Sequence, residues 1–259
     1  MNLFQTKEYL NVFKEHFGGE VVEEIWEKTE DRLILLGMKP VLGGQEVTDF
    51  AKTDIKALPS GFKRIQLDYV REDCETYQRF GPGKPQEVSP YLNLPGSWEE
   101  YLAGLKRRNR KELKRKLKRL ETVEHSFETE NNLEEFFRLH RLSDPAKNKF
   151  MSREMAEFFK DVWQADYPDW KKNLSFLKIE GEYAAGIMSF ISQDEWWLYN
   201  SGYDPRFSFY SAGLLLKAWS IRRAIELGKK RYDFLRGRER YKYELGAKDL
   251  QLYRIEISR

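Results

Sequence analysis

Residues 196–237, WWLYNSGYDPRFSFYSAGLLLKAWSIRRAIELGKKRYDFLRG, read as a strand, a glycine-containing loop, a helix and a second strand. The first segment, 196–203, is aromatic and extended, and Asn200, Ser201 and Gly202 interrupt it as a bulge or a separating strand end would. Backbone groups left unpaired there are available to a ligand. Asp204 and Pro205 stop the strand, and Ser208, Tyr210, Ser211, Ala212 and Gly213 lead into a helix beginning Leu214, Leu215, Leu216. Small residues at a helix N-terminus let free N–H groups and the positive end of the helix dipole approach an anion, with phosphate the natural guest. The helix is apolar nearly all round and stops at Gly228, followed by Lys229 and Lys230, a regular C-terminal signature. Such a helix has to be covered by sheet.

Working upstream, the pattern is antiparallel. Residues 174–179, a Glu180-Gly181-Glu182 turn, residues 183–191, a Gln193-Asp194-Glu195 turn and the strand 196–203 make a three-strand meander. Residues 231–235 then return beside the last strand of the meander with the apolar helix as crossover, and residues 251–257 form a closing strand. Two neighbouring strands run parallel in this order and diverge where the bulge lies, leaving a slot for an extended ligand. Further upstream, Asn132 with Glu135 caps a helix carrying Phe136, Phe137 and His140, and another helix starts at Ser152, with the loop 143–151 between them. His140 has two readings, a proton acceptor at the cleft edge or a packed helix residue.

Ser97 with Glu100 forms a capping box. Trp98, Leu102, Leu105, Leu113, Leu117 and Leu120 continue an apolar stripe, predicting one helix of about six turns with a dense basic face. Residues 106–119 hold ten basic residues and one acid, whereas the whole chain has a net charge of only +3. That face reads as an ordinary solvated surface or as a contact for an acidic polymer, a phosphate-bearing ligand or an anionic membrane. Without interleaved aromatics or a reading helix, nucleic acid ranks low. The Pro- and Gly-rich stretch 80–96 is the strongest linker candidate and places a domain boundary near residue 90. Before it, a helix over 6–17, strands over 20–26, 32–38 and 62–70, and a loop with a short helix over 47–58 make a small α+β unit without a catalytic cluster.

The composition, 41 % hydrophobic and 15 % aromatic over 259 residues, suits a packed core. No apolar run approaches the ~20 residues of a membrane span, and MNLFQTKEYL lacks an apolar secretory region, so a cytoplasmic location is expected. A single cysteine, Cys74, and three scattered histidines, His16, His125 and His140, predict neither an internal disulfide nor a metal site.

The order of three antiparallel strands, anion-binding loop, helix and strand resembles the Gcn5-related N-acetyltransferase (GNAT) fold, an α+β architecture on a mixed sheet. Gly202-Tyr203-Asp204-Pro205, Tyr210-Ser211-Ala212-Gly213, Tyr232-Asp233-Phe234-Leu235-Arg236-Gly237 and Tyr241-Lys242-Tyr243-Glu244-Leu245-Gly246 resemble the branch typified by CelD and BioF2-like acyltransferases, itself similar to the FemAB peptidyltransferases. Ile34-Leu35-Leu36-Gly37 and Val47-Thr48-Asp49-Phe50 resemble that family's N-terminal half. The resemblance implies a reduced acyltransferase-like domain over 1–90 and a complete GNAT domain over 91–259. Ala212 stands where proline is common, Arg238 where an acid often follows the glycine, and Leu245 where tryptophan is frequent.

What the resemblance implies is acyl transfer from acyl-CoA, with acetyl-CoA the first choice, to an amine of a sugar or cell-envelope precursor, without a metal. Its alternatives are an aminoacyl-tRNA-dependent transferase, with the basic helix holding RNA, and a non-catalytic module whose helix 106–119 meets an anionic polymer or a membrane surface. Pyrophosphate would rest on the amides of Ser211, Ala212, Gly213 and Leu214, near Ser208, Tyr210 and Arg206, and pantetheine on the backbone from Tyr199 through Asn200 and Ser201 to Tyr203. Asp233 and Glu239 are the base candidates and Tyr241 the acid, with Lys242 orienting an anion. Asp233 equally reads as a structural acid at a strand end, and Lys242 as the partner of a carboxylate.

Overall fold

The computed structural model describes residues 2–258 except 23, 24, 30, 50–54 and 56. The chain divides into two compact units, one formed by Met1–Ser89, Glu157–Pro168 and Asp249–Arg259, the other by Pro90–Ala156 and Asp169–Lys248. The first unit opens with α1 (Lys7–Phe17), capped by Thr6, whose side chain accepts from the Tyr9 amide. Three short strands follow, β1 (Glu20–Val22), β2 (Trp26–Lys28) and β3 (Leu33–Leu35), then β4 (Arg64–Arg71), α2 (Glu75–Phe80) and β5 (Lys84–Val88). The segment expected as one strand over 20–26 is thus two strands, and half of the loop and helix expected over 47–58, including Phe50, lies outside the described residues.

The second unit contains β6 (Tyr91–Asn93), α3 (Trp98–Gly104), α4 (Arg107–Leu120), β7 (His125–Thr129), α5 (Leu133–Leu142) and α6 (Pro145–Phe150). Helix α7 (Arg153–Gln164) gives residues 153–156 to this unit and 157–164 to the first. Then come β8 (Lys171–Ile179), β9 (Glu182–Ile191), β10 (Glu195–Tyr203), a 3-10 segment (Pro205–Tyr210), α8 (Ala212–Glu226), β11 (Arg231–Asp233) and α9 (Arg240–Glu244). The sheet order is β6-β11-β10-β9-β8-β7. Only β10 and β11 are parallel in it; the other pairs are antiparallel.

Four sequence expectations need correction. The linker stretch contains two strands, β5 and β6, each at an edge of its sheet, a place where a proline such as Pro85 is tolerated. The long helix over 97–120 is two helices. Gly104 ends α3, Leu105 turns extended (φ −66°, ψ 143°) and buries its side chain against Gly246, and α4 starts afresh. The loop 143–151 contains α6, capped by the Asp144 side chain on the Ala146 amide. The closing strand, β12 (Gln251–Ser258), is inserted between β4 and β5 of the first sheet, with Leu252 and Ile255 buried there.

In the second unit, α8 lies on one sheet face within a core of Leu215, Leu216, Ile221, Trp196, Leu198 and Tyr232, together with Leu113 and Leu120 of α4. Helix α5 covers β9 and β10. Gly202 is what lets it approach: a Cβ there would run into the backbone of Leu139 and His140.

Candidate active site

Strand β10 pairs with β11 only through Glu195–Trp197 against Arg231–Asp233, yet its pairing with β9 continues to Tyr203. Residues 198–203 therefore have no strand beside them on the β11 side, and the register shifts between Leu198 and Asn200. This is the bulged, diverging pair that Asn200-Ser201-Gly202 signals in the sequence. The bulge is pinned by His140 of α5, whose Nε2 meets Asn200 Oδ1 at 2.9 Å, while the Ser201 amide donates to the same oxygen at 2.9 Å. Burial, reinforced by Lys147, brings the His140 pKa down to about 3, so the imidazole is neutral and serves as the donor that holds Asn200. Lys147 of α6 reaches the Ser201 carbonyl.

Beside this opening, Ser211 takes a left-handed conformation (φ 58°, ψ 38°) and starts α8. Its amide is used by Ser208 O, and its own carbonyl accepts from Leu214 and Leu215. Of the four amides expected to face an anion, those of Ala212 and Gly213 remain without a backbone acceptor. The Tyr203 ring lies against Gly213. Tyr199 packs edge-on against Phe190, and Tyr210 against Phe209. Arg206 is committed elsewhere, to Asp204 at 3.0 Å and Glu182 at 2.7 Å. Basic side chains reach this loop from α4 instead: Lys116 Nζ donates to Ser211 Oγ at 2.8 Å, and Arg119 donates to Phe209 O at 2.7 Å with its guanidinium over the Phe209 ring.

On the far side of the opening, Asp233 is fully buried. Its Oδ1 accepts from the Leu235 amide at 2.9 Å and its Oδ2 lies 3.2 Å from Arg231, holding the turn in which Leu235 has φ 59°. Lys242 is also buried and donates to the carbonyls of Leu235, Arg236 and Gly237 at 3.0, 2.6 and 3.1 Å, with Glu239 at 2.8 Å. Both residues thus have the geometry of supports for the 233–237 turn. Glu239 is exposed, and Tyr241 lies half-buried beside Phe234.

The sequence reading missed Lys217. It stands in α8 with 6 % exposure, its Nζ 3.2 Å from Gly213 O and 4.7 Å from the centre of the Tyr241 ring. Burial first, then Lys147, lower its pKa to about 7. A charged residue between Leu216 and Ala218, in the apolar first half of α8, is the signal that could have found it. Also missed is a cavity of about 820 Å³, lined by Lys106, by Arg108, Lys111 and Lys116 of α4, by Leu214, and by Arg240 and Tyr243 of α9. Asn109 ties its two walls together by donating to Tyr243 O at 3.2 Å.

The sequence matches the family described as "Acetyltransferase (GNAT) domain" over residues 107–243, more than half of the chain. The chain belongs to this GNAT family. As a GNAT protein it is an acyltransferase enzyme. No curated protein matches it in sequence. Among solved structures it is similar to FemX (13 % identity, 76 % of this chain and 72 % of that one, TM-score 0.58). It is also similar to L-PGS from Bacillus licheniformis (14 %, 96 % and 91 %, 0.56). A conserved protein of unknown function from Bacteroides thetaiotaomicron matches over almost the full length of both chains (10 %, 99 % and 92 %, 0.59). At these identities the likeness concerns the GNAT fold. Among the described residues, no helix is long and apolar enough to cross a membrane.

Proposed function

We propose that this GNAT protein moves an acyl group, acetyl in the first instance, from acyl-CoA to a primary amine, with an amino sugar or cell-envelope precursor as the preferred acceptor class. The observation that carries the reading is the opening between β10 and β11, where residues 198–203 have no strand beside them on the β11 side, next to the start of α8. An extended pantetheine arm can add to that edge as a strand would, with the pyrophosphate on the Ala212 and Gly213 amides next to Lys116. Asp233 and Lys242 hold the turn, Glu239 is the exposed acid at its rim, and Tyr241 is the candidate donor to the leaving group. Arg206, tied to two carboxylates, has no direct part in this reading.

Calorimetric titration with acetyl-CoA tests the proposal. Binding by the wild-type protein and its loss in Gly213→Trp, whose indole would fill the space beside Tyr203, is the expected result. No binding by folded wild-type protein sinks it. The cation-lined cavity of α4 favours a second reading, an aminoacyl-tRNA donor, which predicts binding of charged tRNA that weakens steeply as salt is raised.

A further inference from the structure

We infer that Lys217 carries a proton from the acceptor amine to the leaving sulfur, an inference that rests on the acyl-CoA reading above. Its side chain is buried, yet Gly213 O is its one hydrogen-bond acceptor, and no carboxylate among the described residues lies within ion-pairing distance. An ammonium buried with one carbonyl and one aromatic ring for company is costly, and an amine that can shed its charge is the way out. Lys242 makes the contrast: it is equally buried, but donates to three carbonyls and a carboxylate and is fully occupied.

The charged groups that act on Lys217 come from separate elements. Lys147 of α6 and Lys242 of α9 oppose its charged form, whereas Glu239, just before α9, favours it. With Tyr241 at 4.7 Å, these groups span the opening from the end of β10, where Lys147 holds Ser201 O, to the turn after β11. The result is an amine that changes charge close to neutral pH at the place where a thioester would react.

The acceptor ammonium gives one proton to the neutral Lys217 amine, and the freed nitrogen lone pair forms the C–N bond to the acyl carbon. The C–S bond breaks with its electron pair going to sulfur, and Lys217 passes its proton to that sulfur. The second nitrogen proton leaves to water past the exposed Glu239 carboxylate. Ammonium and thioester thus become amide, thiol and one proton.

The test uses coenzyme A itself as the probe, at saturating concentration, following thiolate absorbance against pH on the wild-type protein, Lys217→Met and Lys217→Arg. A free thiol ionises near pH ~8.5. On the wild-type protein the bound thiol should ionise at least about one unit lower, because a nearby ammonium favours thiolate. Lys217→Met should return it to the free-thiol value, while Lys217→Arg, which keeps a cation, should retain the lowered one. A thiol that titrates identically on wild type and Lys217→Met overturns the inference while leaving the donor reading standing. Failure of the folded wild-type protein to bind coenzyme A overturns both. A purely structural Lys217 would change melting temperature without moving the thiol.

Discussion

At the scale of single residues, Lys217 also bears on stability. Its pKa falls from that of a free lysine to about 7 on folding, so between about pH 7 and pH ~10.4 the unfolded chain binds the extra proton. Stability therefore rises with pH through that window, and the penalty of the buried charge is fully present at and below pH 7. Lys217→Met should be more stable than wild type at pH 7 by on the order of 3 kcal/mol, with the gap closing as pH approaches 10. Denaturant unfolding at several pH values measures this; a gap that does not change with pH would contradict the shifted lysine. His140 shows the complementary case. Its neutral ring fixes Asn200 and therefore the bulge, a positioning task that needs no titration near pH 7.

Among the elements, α4 changes most in meaning once its position is known. The sequence shows ten cations and an apolar stripe, but which loop the cations face depends on the break at Leu105, and that break depends on Leu105 lodging against Gly246, far away in sequence. Lys116 and Arg119 then meet the loop before α8. Lys116→Ala and Arg119→Ala should each weaken coenzyme A binding roughly tenfold, the scale of one charge-assisted hydrogen bond, and the loss should shrink at high salt. Equal affinities for wild type and both variants, by calorimetry, would remove α4 from the binding site.

The same contrast explains what the sequence made legible. The meander, an irregularity near residue 200 and the crossover helix follow from local periodicity and turn chemistry, although the register shift falls between Leu198 and Asn200 and α8 starts at Ala212 rather than Leu214. Asp233 and Lys242 were found by position along the chain, but their burial and their hydrogen bonds to the 235–237 turn are tertiary facts. Lys217 was hidden because apolar neighbours made its helix read as plain core. The sheet of strand β12 is not legible in its sequence, because its alternation fits any half-buried edge and only pairing with β4 and β5 decides.

For the whole molecule, the important fact is that the first unit is assembled from three separate stretches of chain. Strand β12 sits inside its sheet, flanked by β4 and β5, so a fragment of residues 1–90 lacks an interior strand and leaves two inner edges open. Such a fragment should fail to show cooperative unfolding, whereas the chain with β12 present should protect the amides of β4 strongly in hydrogen exchange. A stable, protected 1–90 fragment would show that β12 is dispensable.

The interleaving also sets a timetable for biosynthesis. The partners of β4 are β3, made just before it, and β12, made nearly two hundred residues later. While the ribosome is producing the entire acyltransferase unit, the first sheet waits with the place of β12 vacant, open to pairing with another nascent chain. The cell would have to shield that gap, and slow translation before residue 251 would lengthen the exposure.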